Sequence, residues 1–402
     1  MVSIHEGLER ILKDMPAPRV TGRRLFNSLG YVLAENIRAP IHYPPFTRSR
    51  LDGYAVLSED FSNLLPGGEL SLKVIEVLGA GSWSRGTLNP GETVQIMTGA
   101  ALPAGADAVI PFEEVERRGS HAVFARGAAP GENVSSMGEE VRRGQKLLSR
   151  GSLIGPGDAA LLASMGKDTL KVYSRPRVGI LATGEELVPL HRRRDYGKIY
   201  NSNSYMTGSQ TILSRGTPLY LGTVGDQKNK ISGIIKRQLP RLSVVITTGG
   251  AARGKYDLAE ETFLSLGAEI LFNGVSMKPG NYMVAARKEH CYLFGLSGSP
   301  SAAFVSFQQF VRPLLWRLQG YKETVGAEFN AHLVGTIKGV FKEDRFYRAH
   351  TRVQQGGFSV EPKGRGLTAF AEVNSLIHIP SGSGPFQEGD EVPVQLLNFF
   401  PF

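Results

Sequence analysis

The chain has 402 residues, 41% hydrophobic and 21% charged, a globular balance that excludes disorder and asks for roughly two to four structural units. The net charge of +9 and pI of about 9.5 favour anionic partners. The bases are scattered, however, with Arg192-Arg193-Arg194 the longest run and no zinc-finger or RNP-type spacing, so small anions are preferred to nucleic acid. No apolar run is long enough for a membrane span, the opening MVSIHEGLERIL lacks a signal-peptide pattern, and the single cysteine, Cys291, excludes an internal disulfide, so a reducing cytoplasm is expected.

Along the chain, Ser3 to Glu6 reads as a capping box opening an amphipathic helix on Leu8, Ile11 and Leu12, which must stop near Met15 ahead of Pro16 and Pro18. From about residue 40 to 175, short alternating runs such as Leu72–Leu78 and Thr93–Met97 lie between Gly/Pro turns, the pattern of a β-rich domain. After Pro176 the pattern changes. Val178–Ala182, Val244–Ile246 and Tyr292–Phe294 are short continuous apolar runs suited to strands buried on both faces. Helical stretches around 203–214, 257–266 and 301–318 alternate with them, predicting a doubly wound α/β domain with a mostly parallel sheet. From Tyr321 onward, segments such as Phe358–Pro362 return to strands and turns, as a small terminal β domain. Cys291, inside an apolar run, is read as a buried bystander.

In open α/β sheets ligands bind beyond the carboxyl ends of the strands. Each predicted strand there runs into a small-residue turn: Thr183-Gly184-Glu185-Glu186, Thr247-Thr248-Gly249-Gly250, and Gly295-Leu296-Ser297-Gly298-Ser299-Pro300. Glycine lets a phosphate approach the backbone, and a turn that opens a helix offers free amides to an anion. The turn before 301–318 suits this best, with Pro300 near the first helical turn. Any one of these turns is also an ordinary strand-to-helix connection. Carboxylates accompany them: Glu186, Asp226 and Asp257. Hard oxygen donors suit Mg²⁺, yet Asp257 before Leu258-Ala259-Glu260 equally suits a helix cap.

Several segments together resemble one family in spelling and order. Asp52-Gly53-Tyr54-Ala55 resembles the DGYA motif of the MoeA/gephyrin E-domain family of molybdenum insertases, and Met97-Thr98-Gly99-Ala100 its MTGA segment. Gly131-Glu132-Asn133-Val134 with Gly138-Glu139-Glu140 resembles GENI…GED. Thr183–Leu187 resembles STGDEL, and Gly197–Asn203, with Ser202, the segment after it. Thr247–Gly250 through Asp257 resembles TTGGVSxGxxD; Met277-Lys278-Pro279-Gly280 and Gly295–Pro300 resemble MKPG and GLPGNP.

The resemblance implies an elongated multidomain chain of α/β plus β-rich domains. A discontinuous scaffold domain takes 17–45 and 145–175, a β-rich domain 46–144, a MogA-like three-layer α/β domain 1–16 and 176–325, and a small C-terminal β-barrel 326–402. It implies insertion of molybdenum from molybdate into adenylylated molybdopterin, with Mg²⁺ assisting and AMP released. Glu186, Asp226 and Asp257 become the acidic, metal-holding residues. Thr183, Gly184, Ser202, Gly249, Gly250, Lys278 and the Ser297-Gly298-Ser299-Pro300 turn become substrate and anion contacts. Asp52, Thr98 and Glu140 face the other subunit's site in a homodimer, and contact with other cofactor-biosynthesis proteins is allowed.

The chain departs from the pattern in places. Ala251-Ala252 stands for VS, with Arg253 and Lys255 added nearby; Asn281-Tyr282 replaces a lysine and proline; Ser297 and Ser299 replace proline and asparagine. A specialised paralogue that binds molybdopterin or molybdate without insertion, and a structural scaffold, therefore stand as alternatives to the insertase.

Overall fold

The computed structural model describes residues 1–250, 258–322, 328–364 and 366–397. They fall into two compact units: Met1–Gly22 with Tyr31–Ala34 and Lys171–Phe402, and Arg23–Gly30 with Glu35–Leu170. The first helix, α1 (Ile4–Leu12), carries the predicted capping box: the Glu6 amide donates to Ser3 Oγ at 3.1 Å and the Ser3 amide to Glu6 Oε2 at 3.2 Å.

The first unit holds a six-stranded sheet. In chain order its strands are β1 (Arg177–Thr183), β2 (Thr217–Val224), β3 (Val244–Thr248), β4 (Glu269–Asn273), β5 (Val284–Lys288) and β6 (Cys291–Leu296), arranged β2-β1-β3-β6-β5-β4. β2, β1, β3 and β6 pair in parallel, and β5 and β4 complete the sheet antiparallel. The three apolar runs are β1, β3 and β6, and their side chains sort by the two-residue period of a strand. Val178, Ile180, Val244, Ile246, Tyr292 and Phe294 pack on one face with α1 and the 300–318 helical stretch. Leu181, Val245 and Leu293 pack on the other with α3 (Lys228–Gln238) and α4 (Leu258–Ser265). Between α1 and α3 in the chain lies α2 (Asn203–Leu213), as the helical pattern predicts. The result is the expected three-layer α/β arrangement.

The last helical stretch differs from the continuous helix expected. α5 (Pro300–Ser306) and α6 (Arg312–Leu318) flank a π-helical turn, Phe307–Val311. Pro313 has no amide to donate to Gln309, and its ring crowds that carbonyl, which accounts for the local widening.

Beyond it, Glu328–Leu333, Asp344–Gln354, Gly357–Pro362, Ser375–Ile379 and Glu391–Leu396 close into a barrel, the ring completed by Arg345 opposite Ile379. Ala331, Val360, Ile377, Val392 and Val394 fill it, and the terminal β domain is thus a closed barrel.

The second unit is β-rich, as its turn-punctuated sequence requires. The predicted runs form neighbouring parallel strands, Leu70–Leu78 and Glu92–Ile96, in a six-stranded sheet. Gly53–Val56 lies antiparallel to Glu92–Ile96. Phe124 meets Tyr54 and Phe61 edge-on, with ring centroids 5.9 and 5.5 Å away.

Candidate functional site

The glycine turns converge where the parallel strands of the first unit end. Thr183 closes β1, Gly249 follows β3, and Gly298 follows β6. The Gly249 amide donates to the Leu296 carbonyl at 3.0 Å, while a Cβ at Gly249 would collide with the Thr183 carbonyl oxygen. A Cβ at Gly298 would sit 3.7 Å from the Gly249 Cα. Gly249 and Gly250 have φ of +100° and +70°, which favour glycine. Three segments far apart in the chain therefore present bare backbone at one edge. Thr183 is buried, its hydroxyl 3.5 Å from the Thr248 carbonyl that accepts from it, so it holds the turn rather than facing solvent. A crevice of about 10 Å³ opens among Thr183, Gly249, Gly250 and Thr262, and roomier cavities lie elsewhere.

The acidic residues gather beside the first turn. A Cβ at Gly184 would meet the Glu186 carboxylate, and one at Gly225 would collide with Glu185. Asp226 follows β2, and burial, reinforced by the negative charges of Glu186 and Glu185, raises its carboxyl above the ordinary aspartate value of 3.8. Lys198 Nζ donates to the Glu185 carbonyl at 2.6 Å. Among the described residues, no group of three or more His, Cys, Asp or Glu is arranged to close on a metal ion. Asp257, Ala251, Ala252, Arg253 and Lys255 lie outside the described residues.

Two asparagines of the Gly197–Asn203 segment, where only Ser202 is expected to touch substrate, organise this edge. Buried Asn201 donates from Nδ2 to Ser204 Oγ (2.9 Å) and Thr223 Oγ1 (3.1 Å), tying the start of α2 to β2. Asn203 Nδ2 donates to the Gly298 carbonyl at 2.8 Å, tying α2 to the third turn, and its buried Oδ1 has no partner among the described residues. Ser202, between them, is exposed at the helix cap. The signal available in the sequence was the run Asn201-Ser202-Asn203-Ser204 at the start of a helix.

The third turn offers less to an anion than expected. The Ser299 amide donates to Ser297 Oγ at 3.2 Å, so the serine that replaces a proline occupies an amide the turn was expected to leave free. The Met277–Gly280 segment reaches the same edge, because it follows β4, which runs parallel to β6. It leans on α5, where Ser306 Oγ donates to the Gly280 carbonyl at 3.3 Å. Lys278 is exposed, and its ammonium makes no ion pair or hydrogen bond among the described residues.

In the second unit, antiparallel pairing of Gly53 opposite Ile96 brings Asp52 to Thr98 across 46 positions of sequence. Asp52 Oδ1 accepts from the Thr98 hydroxyl (2.6 Å) and amide (2.7 Å). Glu140 stands 3.7 Å from Arg48, and Glu139 pairs with Arg50.

Comparison with known proteins decides the family. Residues 2–166 match the MoeA N-terminal region (domain I and II), and residues 179–317 a probable molybdopterin binding domain. A molybdopterin molybdenumtransferase from Bacillus subtilis is 36% identical over 406 residues, covering 98% of this chain and 94% of the relative. The chain belongs to the molybdopterin molybdenumtransferase family. A Staphylococcus aureus member is 35% identical over 402 residues, with 98% and 95% covered. Two solved structures of a Pyrococcus horikoshii MoeA protein superpose with TM-scores of 0.88 and 0.80 at 30% and 28% identity, covering 99% and 98% of this chain and 99% and 100% of theirs.

In this family member Cys291 is fully buried and its thiol is pushed up to about 12 by that burial, in keeping with a packing role. The Thr98 hydroxyl, and after it the Thr98 amide, holds the Asp52 carboxyl below its usual 3.8. Thr98→Val removes only the hydroxyl. A carboxyl resonance titration is expected to show the Asp52 midpoint rising while staying below that of a free aspartate. A depressed acid stabilises the fold above its unfolded pKa and loses that contribution as pH falls through its folded value. The stability gap between wild type and Thr98→Val should therefore be open at neutral pH and close in acid. An unmoved midpoint would show that the hydroxyl does not set it.

Proposed function

We propose that this chain inserts molybdenum from molybdate into the dithiolene of adenylylated molybdopterin, releasing AMP. The observation that carries the reading is the packing of Gly249 between Thr183 and Gly298, in a chain of this family. It leaves a surface where a phosphoanhydride can lie directly on backbone, with the Lys278 ammonium, unpaired among the described residues, at the same edge to offset its charge. Asn203 holds the 297–300 turn in place, and Glu186 and Asp226 flank the first turn.

Mg²⁺ fits the described residues in its donor chemistry. Mg²⁺ keeps several waters and takes one or two carboxylates plus substrate phosphates, so Asp226 and Glu186 suffice without a closed cage. Their mutual repulsion is what a cation would relieve. When bound, it would neutralise charge on the phosphoanhydride. A carboxyl with a raised folded pKa contributes stability that is full below the unfolded value, near 3.8, and lost as pH rises through the folded one. At neutral pH, without metal, Asp226→Asn is thus expected to be at least as stable as wild type. Added MgCl₂ should raise the wild-type Tm and leave that of the variant nearly fixed. Equal Mg²⁺ responses would take Asp226 out of the metal set.

The same reading makes the protein a cytoplasmic homodimer, with Asp52, Thr98 and Glu140 completing the partner's site. It assigns 17–45 with 145–175, 46–144, 1–16 with 176–325, and 326–402 as its domains. A monomeric mass by sedimentation equilibrium would contradict the shared site. Molybdate-dependent release of AMP separates the insertase from a specialised paralogue that binds molybdopterin or molybdate without insertion.

A further inference from the structure

The parallel strands also begin together, at the sheet edge opposite the glycine turns. Arg177 opens β1, Ser243 immediately precedes β3 and His290 immediately precedes β6. All three line a cavity of about 200 Å³, together with Arg19, Arg175 and Arg241. A neighbouring cavity of about 360 Å³ shares His290 and is bordered by Lys236 and Lys288.

Charge distinguishes the smaller cavity. Four guanidiniums border it and, among the described residues, no carboxylate does. None of the four makes an ion pair or side-chain hydrogen bond among the described residues. Arg175 is held over the Tyr31 ring at 4.4 Å, and its Nε is buried without a hydrogen-bond partner among the described residues, as is Nε2 of His290. The walls are pinned by backbone: the Ser174 amide donates to the Arg19 carbonyl at 2.7 Å, and the Ser243 amide to the Arg177 carbonyl at 2.9 Å. Like charges crowded round a small cavity repel, and a buried guanidinium N–H without an acceptor is costly, so both features are relieved by one multiply charged anion.

We propose that this cavity is a second anion site, separate from the glycine-turn edge, which binds the diphosphate group of a small phosphorylated molecule. Guanidinium forks match the paired oxygens of phosphate, and four of them exceed what a single carboxylate can neutralise. The volume admits a diphosphate and excludes a folded partner, while the cavity beyond His290 has room for an organic remainder. The inference stands on these residues alone and does not depend on molybdenum insertion.

Calorimetric titration of the full chain with inorganic pyrophosphate tests it. Because the glycine-turn edge also takes phosphate, Lys278→Ala serves as the reference, and the arginine cavity is expected to bind pyrophosphate unchanged in it. Adding Arg177→Gln with Arg241→Gln, both at exposed positions, should weaken that binding by at least ~30-fold, as expected for two lost charge-assisted contacts. Arg177→Lys with Arg241→Lys keeps the charge without the fork and should fall between the two. Pyrophosphate affinity that is the same in the Lys278→Ala reference and both arginine double variants would overturn the proposal, as would no pyrophosphate binding in the reference.

Discussion

Gly249→Ala is expected to abolish most molybdenum insertion, by on the order of 10²-fold, and to lower the urea midpoint as well. At φ of +100° alanine is strained, and its Cβ would collide with the Thr183 carbonyl oxygen, which belongs to a central strand and has little freedom to retreat. Backbone strain and overpacking together put the loss of stability at roughly 2–4 kcal/mol. Because Gly249 also donates to Leu296, displacement of the turn carries to the end of β6 and opens the edge on which the phosphate is proposed to lie. Gly250→Ala is the control. Its φ of +70° is also left-handed, but its Cβ would approach Leu258 only to 3.4 Å, so it should lose less stability than Gly249→Ala. Equal stability losses in the two variants would show that the close approach to Thr183 does not matter.

Asn203→Leu keeps the branched four-atom side-chain skeleton and removes the hydrogen bond to the Gly298 carbonyl. Leaving a part-buried carbonyl without its donor costs about 1–3 kcal/mol, so the variant should fold with a modestly lower midpoint. The larger effect is expected on function. Freed from α2, the 297–300 turn no longer has a fixed distance to Gly249, and misplacement by about 1 Å costs on the order of 10²-fold in rate. Asn203→Gln, which keeps the amide on a longer stem, should recover only part of the activity. Wild-type insertion by Asn203→Leu would reduce this residue to a structural tie.

The features that were legible in the sequence are those with a local cause. The Ser3–Glu6 box, the three apolar runs and the turns after them each carry their signal within a few residues. The elements passed over draw their stability from neighbours. β2 is an edge strand, mostly half-buried and interrupted by Pro218 and Gly222, so its run is neither clearly apolar nor alternating. α3 buries only Ile231 and Ile235 and is otherwise rich in lysine and polar residues, so its apolar stripe is thin. β4 and β5 are fixed by antiparallel pairing to β6 and to each other, which no short segment encodes. At the site, glycine spelling pointed to the converging turns. The role of Asn203 depends on a carbonyl 95 positions away, and the loss of the Ser299 amide depends on how the Ser297 hydroxyl turns. Both are facts of three-dimensional packing.

Molybdenum insertion is proposed to take place on the edge built by Thr183, Gly249 and Gly298. Its most direct measurement is a single-turnover reaction of the purified chain with adenylylated molybdopterin, Mg²⁺ and molybdate, following AMP and metal-loaded cofactor together. AMP is expected only when molybdate is present, in equal amount with loaded cofactor, and Gly249→Ala should suppress both. Tight binding of the adenylylated pterin with no molybdate-dependent AMP would contradict that proposal.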